Sequence, residues 1–180
     1  MSELSLSQDY LKACFTYDPE FGVLTWKNRP REHFNCNQGW KMWNARYAGK
    51  IAGCGGGSHG YLSVGIRNKM HLNHRVIWCW MTGEWPSDQI DHIDHIKQNN
   101  LWHNLREADN QTNCKNMPIL STNTSGVTGV SWDKAKQKYQ AYITVNDRKL
   151  SLGHYDAFKA AVASRKAAEA LYGFHRNHGS

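Results

Sequence analysis

The sequence predicts an α+β protein built from two modules, and three observations carry that reading. Apolar residues alternate with others in both halves, at Leu62, Val64 and Ile66 and again at Tyr139, Ala141, Ile143 and Val145, the period of strands. Helical spacing stands beside them, at Val76, Ile77, Trp80 and Met81 and along the alanine-rich stretch after Asp156. Between the halves, residues 118–125 (PILSTNTS) are short, polar and without periodicity, and the charge changes across them. Residues 1–118 hold thirteen basic and eleven acidic residues, whereas residues 119–180 hold nine and four. The expected division is a first module at 1–118, a linker at 119–125 and a second module at 126–180.

Taken in order, the first element is a short helix around Ser7–Phe15, with Tyr10, Leu11, Cys14 and Phe15 on one side. A turn at Asp18-Pro19-Glu20 precedes the strand-like run Gly22–Trp26. The glycine run 53–60 leads into a strand at Tyr61–Arg67, with Asn68-Lys69 as a hairpin turn. A phosphate-cradling loop would need a following helix and a Gly-Lys-Ser/Thr ending, so a flexible hairpin loop is the expectation for these glycines. Asn73 is placed to cap a core helix that Gly83 stops.

The second module reads as three antiparallel strands and one packed helix. The strands are Val127–Trp132, Tyr139–Val145 and a third marked by Leu150 and Leu152, with Asn146-Asp147 as the turn between the last two. Asp156 is positioned to cap the helix, whose stripe is Phe158, Ala161, Val162 and Leu171 or Tyr172, and Gly173 ends it. Such a sheet gives one face to the helix and leaves one free. Trp132 is expected in the core.

Composition narrows the functional class. A formal charge of +7 and a pI near 9.2 favour an anionic partner. No apolar run approaches the roughly 20 residues needed to span a bilayer, and Met1–Cys14 lacks a basic n-region with an apolar h-region. No membrane partner and a cytoplasmic location are therefore expected. The five cysteines are odd in number, widely spread and form no C-x-x-C pair, so reduced thiols and no zinc are expected.

Chemistry concentrates in Asp88–Asn116 (DQIDHIDHIKQNNLWHNLREADNQTNCKN), crowded with Asp, His and Asn. Carboxylate and amide oxygens are hard ligands suited to Mg²⁺ or Mn²⁺, and a neighbouring imidazole is a base near working pH. Hydrolysis of a phosphodiester needs those parts together. In a basic chain, the substrate they point to is a nucleic-acid backbone.

The run Asp91-His92, Asn104-Leu105-Arg106 and Asn113 resembles HNH endonucleases, the ββα-metal fold, in the variety whose last His is replaced by Asn. His74–Trp78 and Gly83–Pro86 add a resemblance to phage-borne homing members, and the similarity covers about residues 15–118. The resemblance implies that Asp91 and Asn113 bind a divalent metal, that His92 is the general base, and that Asn104 holds its imidazole through the side-chain oxygen. A strand ending at Asp91-His92, a return strand at Trp102–Arg106 and a short helix after Glu107 would bring Asn113 to Asp91. Asp94-His95 repeats the pair three residues later. The family's spacing of twelve residues from the base His to the middle Asn, then nine to the last, favours Asp91-His92. Arg106 is a candidate phosphate contact, with a structural salt bridge as the other reading.

In the second module, Ser125–Trp132, Tyr139–Ile143, Leu152-Gly153 and Ala160–Gly173 resemble an AP2 DNA-binding domain over about residues 124–173. The resemblance implies that the free sheet face enters the major groove. Its candidate DNA-binding residues are Gln140, Tyr142, Thr144, Lys149 and Ser151, flanked by Lys134, Lys136, Lys138 and Arg148. Ser131, Asp133 and Ser151 stand where the plant domains carry arginines and tryptophans, which removes the plant base preferences.

The expected function is a site-directed DNA endonuclease using one divalent ion, Mg²⁺ or Mn²⁺, on double-stranded DNA, as a monomer or homodimer. By resemblance it would be a phage homing enzyme leaving 5′-phosphate and 3′-hydroxyl ends. The alternative is a DNA-binding regulator whose nuclease module is inactive.

Overall fold

The computed structural model describes residues 6–55, 60–109 and 115–179. The chain divides into two compact units, Met1–Glu107 and Ala108–Ser180. The division falls ahead of the composition break at 118–125 because residues 115–117 are tied to the C-terminal end of the chain. Lys115 Nζ donates to Tyr172 O at 3.0 Å, His175 N to Lys115 O at 3.1 Å and Gly179 N to Met117 O at 2.9 Å.

In the first unit, Ser7 caps helix α1 (Gln8–Cys14) by accepting from Tyr10 N, and the chain passes directly into β1 (Phe15–Asp18). This strand pairs antiparallel with β2 (Val23–Trp26). Residues 27–50, whose shape periodicity leaves open, form a 3-10 turn (Arg31–His33) and helix α2 (Asn37–Tyr47). Strands β3 (Cys54–Gly55), β4 (Leu62–Ile66) and β5 (Lys69–Leu72) form an antiparallel sheet. Its second turn lies at Arg67-Asn68, one residue earlier than expected. Both residues adopt positive φ (49° and 63°), and pairing resumes at Lys69.

Helix α3 (Asn73–Thr82) buries Val76, Ile77 and Cys79 against Leu11, Phe15, Leu24 and Ile66, and Gly83 stops it at φ 94°. Asn73 does not cap it. Leu72 holds the cap position, and the Asn73 amide donates instead to Ala52 O at 2.9 Å. Strands β6 (Gln89–His92) and β7 (Leu105–Ala108) form the last pair of this segment. The return strand begins three residues later than expected, because Trp102–Asn104 wind a 3-10 turn. The helix expected after Glu107, with Asn113 on it, falls mostly on residues 110–114, outside the described residues, and Glu107 itself lies in β7.

The second unit holds β8 (Val130–Asp133), β9 (Lys138–Val145) and β10 (Arg148–Tyr155) in the order β10-β9-β8, with helix α4 (Phe158–Leu171) packed on one face. The first strand starts at Val130 rather than Val127. Asn123 Oδ1 gathers the amides of Ser125 (3.0 Å) and Gly126 (2.8 Å) into a turn, and Gly129 takes φ +78°. Asn146-Asp147 turns the next hairpin at φ 50° and 59°. Asp156 does not cap α4; it pairs with Lys138 at 3.2 Å, and Ala157 holds the cap position. Leu171 is exposed, and the inner side of α4 instead uses Ala161, Ala168 and the mutually satisfied pair Arg165–Glu169 (2.9 Å). Trp132 is 43% exposed rather than in the core, and its ring meets that of Tyr139 edge-on.

The β1–β2 hairpin turn also shapes the loop that follows β6. Tyr17 Oη donates to Asn100 O at 2.8 Å, and burial pushes the phenol up to about 12, so it stays a donor. Gly22, at φ +66°, lies so close that an added Cβ would stand 2.6 Å from the main chain of Asn100 and Leu101. Gly22→Ala is therefore expected to combine left-handed strain with a backbone clash and to cost about 2 kcal/mol or more. Urea denaturation checks it, and an unchanged midpoint contradicts this packing.

Candidate active site

β6 places Asp91 and His92 side by side, and both are buried, at 9% and 4% exposure. A buried carboxylate needs a partner, because desolvating an unpaired charge costs several kcal/mol. Arg106, on the paired strand β7, supplies it: Nε and Nη2 reach Asp91 Oδ2 at 2.9 and 2.7 Å. Arg106 thus makes the structural salt bridge. Glu107, next to it, gathers Ser87 N, Ser87 Oγ and Asp88 N, fixing the entry to β6.

The asparagine that meets the imidazole is Asn100, not Asn104. His92 Nε2 lies 3.1 Å from Asn100 Oδ1, and both residues are buried. An amide oxygen accepts, which assigns the ring proton to Nε2 and the lone pair to Nδ1. Asn104 has a different task. Its Oδ1 accepts from Asp94 N (3.0 Å), while its Nδ2 donates to Asp94 Oδ1 (2.9 Å) and Asn99 O (2.8 Å). The 3-10 turn at 102–104 accounts for this, since it turns the Asn104 side chain back into the loop.

Asp94 is the other half of that clasp. Its carboxylate also accepts from Ile96 N (2.9 Å) and Asn99 Nδ2. Burial opposes ionisation there, yet these hydrogen bonds outweigh it and hold the carboxyl below its usual range. Asp94 thus serves as the loop's internal pin, and His95 follows it at φ 65°.

Burial pushes the His92 imidazole below its ordinary value, against the opposing pull of the Asn100 hydrogen bond and of Asp94 and Asp91. His92 is therefore an uncharged base at neutral pH. Beside it stands His74, from the first turn of α3, with ring centroids 5.1 Å apart and planes at 87°. Tyr61 touches both rings, at 5.0 Å from His74 and 5.7 Å from His92. Burial, then the neighbouring His92 and Arg75, lower His74 to about 3. Sequence reasoning missed the direct roles of Asn100, His74 and Tyr61. For His74 the available signal was a polar residue in the first turn of a helix with a buried stripe.

Asp91 is the hard-oxygen donor of this cluster, whereas Asn113 lies outside the described residues. Among the described residues, no group of three or more His, Cys, Asp or Glu is arranged to hold a metal. One carboxylate together with one amide oxygen would not form such a group, and both are donors of the kind Mg²⁺ and Mn²⁺ take.

In the second unit, the register places Ser131 opposite Gln140, Tyr142 opposite Ser151 and Thr144 opposite Lys149. These residues share the sheet face turned away from Ala141 and Ile143, which are buried. Gln140 Nε2 donates to Ser131 Oγ at 2.8 Å, and Lys149 Nζ sits 3.7 Å from the Tyr142 ring centroid. Lys134, Lys136 and Arg148 are exposed at the hairpin turns, whereas Lys138 is partly neutralised by Asp156.

His74 makes stability depend on pH. Its folded value lies below its unfolded one, so between about 3 and 6.5 the unfolded chain binds more protons. Its stabilisation is complete above pH 6.5 and is lost as pH falls towards 3. At roughly 1.36 kcal/mol per unit, His74 should account for about 2–3 kcal/mol of stability lost between pH 7.5 and 4.5. Denaturation curves of wild type and His74→Gln at both pH values measure this, and an equal loss in the two proteins contradicts it.

Three findings connect this geometry with known proteins. Residues 71–115 match the family model described as HNH endonuclease. Protein 3.8 of Escherichia phage T7 is 29% identical over 106 residues, which cover 58% of this chain and 88% of that protein. An uncharacterized HNH endonuclease, L560, of Acanthamoeba polyphaga mimivirus is 36% identical over 91 residues, covering 50% of this chain and 46% of the mimivirus protein. The chain thus spans about half the length of that second relative. No solved structure matches. The clasped loop between β6 and β7, the Asp91-His92 pair and the helix carrying His74 all lie within the stretch, residues 71–115, that is similar to HNH endonucleases.

Proposed function

We propose that the chain is a divalent-metal-dependent DNA endonuclease that cuts one strand per active site, with His92 as general base. The observation that supports this most directly is the uncharged, buried His92, whose ring proton is assigned to Nε2 by Asn100 and whose neighbour on β6 is the carboxylate of Asp91. A neutral imidazole can take a proton from water at neutral pH, and Nδ1 is the nitrogen that would take it. Asp91 and Asn113 would hold Mg²⁺ or Mn²⁺. When bound, such an ion neutralises charge on the phosphoryl and leaving oxygens.

The remaining residues position those two. Arg106 holds Asp91 through two hydrogen bonds to one carboxylate oxygen. Asn104, acting through Asp94, folds the loop that presents Asn100, so it is a positioning residue rather than the ring's partner. Tyr61 and His74 wall the imidazole and keep water from solvating its charged form.

The second unit is proposed as an AP2-like module that reads duplex DNA with its free sheet face, from Gln140, Tyr142, Thr144, Lys149 and Ser151. The flanking Lys134, Lys136 and Arg148 would hold phosphates, and Lys138 would do so once released from Asp156. What supports this is the polar, cross-strand-paired face opposite the helix. One base per chain predicts nicking, with a double-strand cut needing a dimer or two events. A homing role rests on the resemblance alone.

The test is conversion of supercoiled plasmid to open circles. Nicking is expected with Mg²⁺ and not with EDTA. His92→Ala should lower the rate by about 10²–10⁴-fold, and Asn100→Ala by about 10–100-fold. Undiminished nicking by His92→Ala, or in EDTA, would remove the proposed chemistry.

A further inference from the structure

Between Glu32 and Glu84 lie fifty-one residues without a single Asp or Glu, and six of them are Lys or Arg. Helix α2 is the exposed helix of this stretch, and no residue of it is fully buried. Its two sides differ sharply. Trp40, Trp43, Asn44 and Tyr47 turn inward, while Gln38, Lys41, Met42, Ala45 and Arg46 occupy an outward arc of about 140° at 100° per residue. Lys50 follows just after the helix and is also exposed.

The inward side is locked to the unit by one arginine. Asn44 accepts from Arg29 N at 2.9 Å and donates to Arg29 O at 3.0 Å, and Trp40 Nε1 donates to the same oxygen at 2.9 Å. The Arg29 guanidinium lies 4.8 Å from the ring centroids of both Trp43 and Phe34. Trp43 also meets Trp26 edge-on at 4.7 Å. Lys50 is fixed through its main chain, since Trp26 N donates to Lys50 O and Gly49 N to Trp26 O. The outward side chains carry none of this load.

An exposed helix ordinarily mixes both signs of charge, which gives i,i+4 pairs and solubility. Here no carboxylate pairs with Lys41, Arg46 or Lys50 among the described residues. Lys41 and Arg46 are about 7.5 Å apart along the helix axis and stand at the two edges of the outward arc, so together they present positive charge across its whole width. We propose that the outward face of α2, through Lys41, Arg46 and Lys50, is a second DNA-contacting surface, holding the phosphate backbone of duplex DNA without reading its sequence.

This surface rests on the reading of the chain as a DNA nuclease, so the test separates the two. The full chain is titrated against a labelled 30-base-pair duplex of random sequence in EDTA, by fluorescence anisotropy at several salt concentrations. Wild type is compared with the triple variant Lys41→Gln, Arg46→Gln, Lys50→Gln, with circular dichroism to check that the fold is kept. The variant should bind about tenfold or more weakly at moderate salt. Its slope of log affinity against log salt should be shallower by about 2–3, at roughly 0.9 per lost phosphate contact. An unchanged affinity and slope overturn the surface, whatever the plasmid assay gives. Loss of slope in the variant, with a wild type that binds but never nicks in Mg²⁺, keeps the surface and removes the nuclease reading. Failure of the wild type to bind any duplex overturns both.

Discussion

The first unit's site depends on the reciprocal clasp between Asp94 and Asn104. The segment from β6 to β7 is a polar loop with little apolar burial of its own, so its shape must come from hydrogen bonds. Asp94 and Asn104 exchange two of them across the loop's base, and the Asp94 carboxylate collects two more from Ile96 and Asn99. Bonds to a charged acceptor are worth roughly twice a neutral pair, which is how so short a loop is held in one conformation. Once closed, the loop carries Asn100 to His92, and the Tyr17 hydroxyl holds the Asn100 carbonyl from the other side. The setting of His92 is thus fixed largely by residues that do not touch its ring.

That arrangement explains what could be read from the sequence and what could not. Elements with strong local signals were legible: the short helix α1, the alternating strands β4 and β9, the buried stripe of α3 with Gly83 at its end, and the Asn146-Asp147 turn. The assignment of Asn100 against Asn104 was not. Two asparagines four residues apart can both reach an imidazole, and only the 3-10 turn at 102–104 decides which one faces it. Helix α2 was equally hidden, because its inward aromatic stripe is interrupted by Asn44 and completed by Arg29, a residue outside the helix. In α4, Arg165 and Glu169 are buried because they pair with each other and their remaining polar atoms reach Tyr142 O, His178 and Lys166, a network that hydrophobic periodicity is blind to. Asp156 looked like a cap and is used as an ion-pair partner for Lys138, where a cross-element contact outcompetes a local one.

A basic protein with a buried, uncharged histidine beside two carboxylates faces an electrostatic conflict, and its layout resolves it. Positive surroundings draw in a polyanion, and they also favour the neutral form of a nearby imidazole. Carboxylates do the reverse, and here two of them, Asp91 and Asp94, pull the His92 value up. Burial between Tyr61 and His74 prevails over that pull. The free cations meanwhile sit on exposed faces, on α2 in one unit and at the hairpin turns in the other.

The choice of an amide at position 100 follows from the same balance. A carboxylate there would orient the imidazole equally well, but it would add a third negative charge against a buried ring. That charge would favour the imidazolium at neutral pH, turning a proton acceptor into a donor. An asparagine orients without charging. Its oxygen still pulls the His92 value up, more than Asp94 or Asp91 does, yet burial keeps the final say. On the proposed chemistry, the residue that steers the base must be polar and neutral, and the loop clasped by Asp94 and Asn104 exists to put one there.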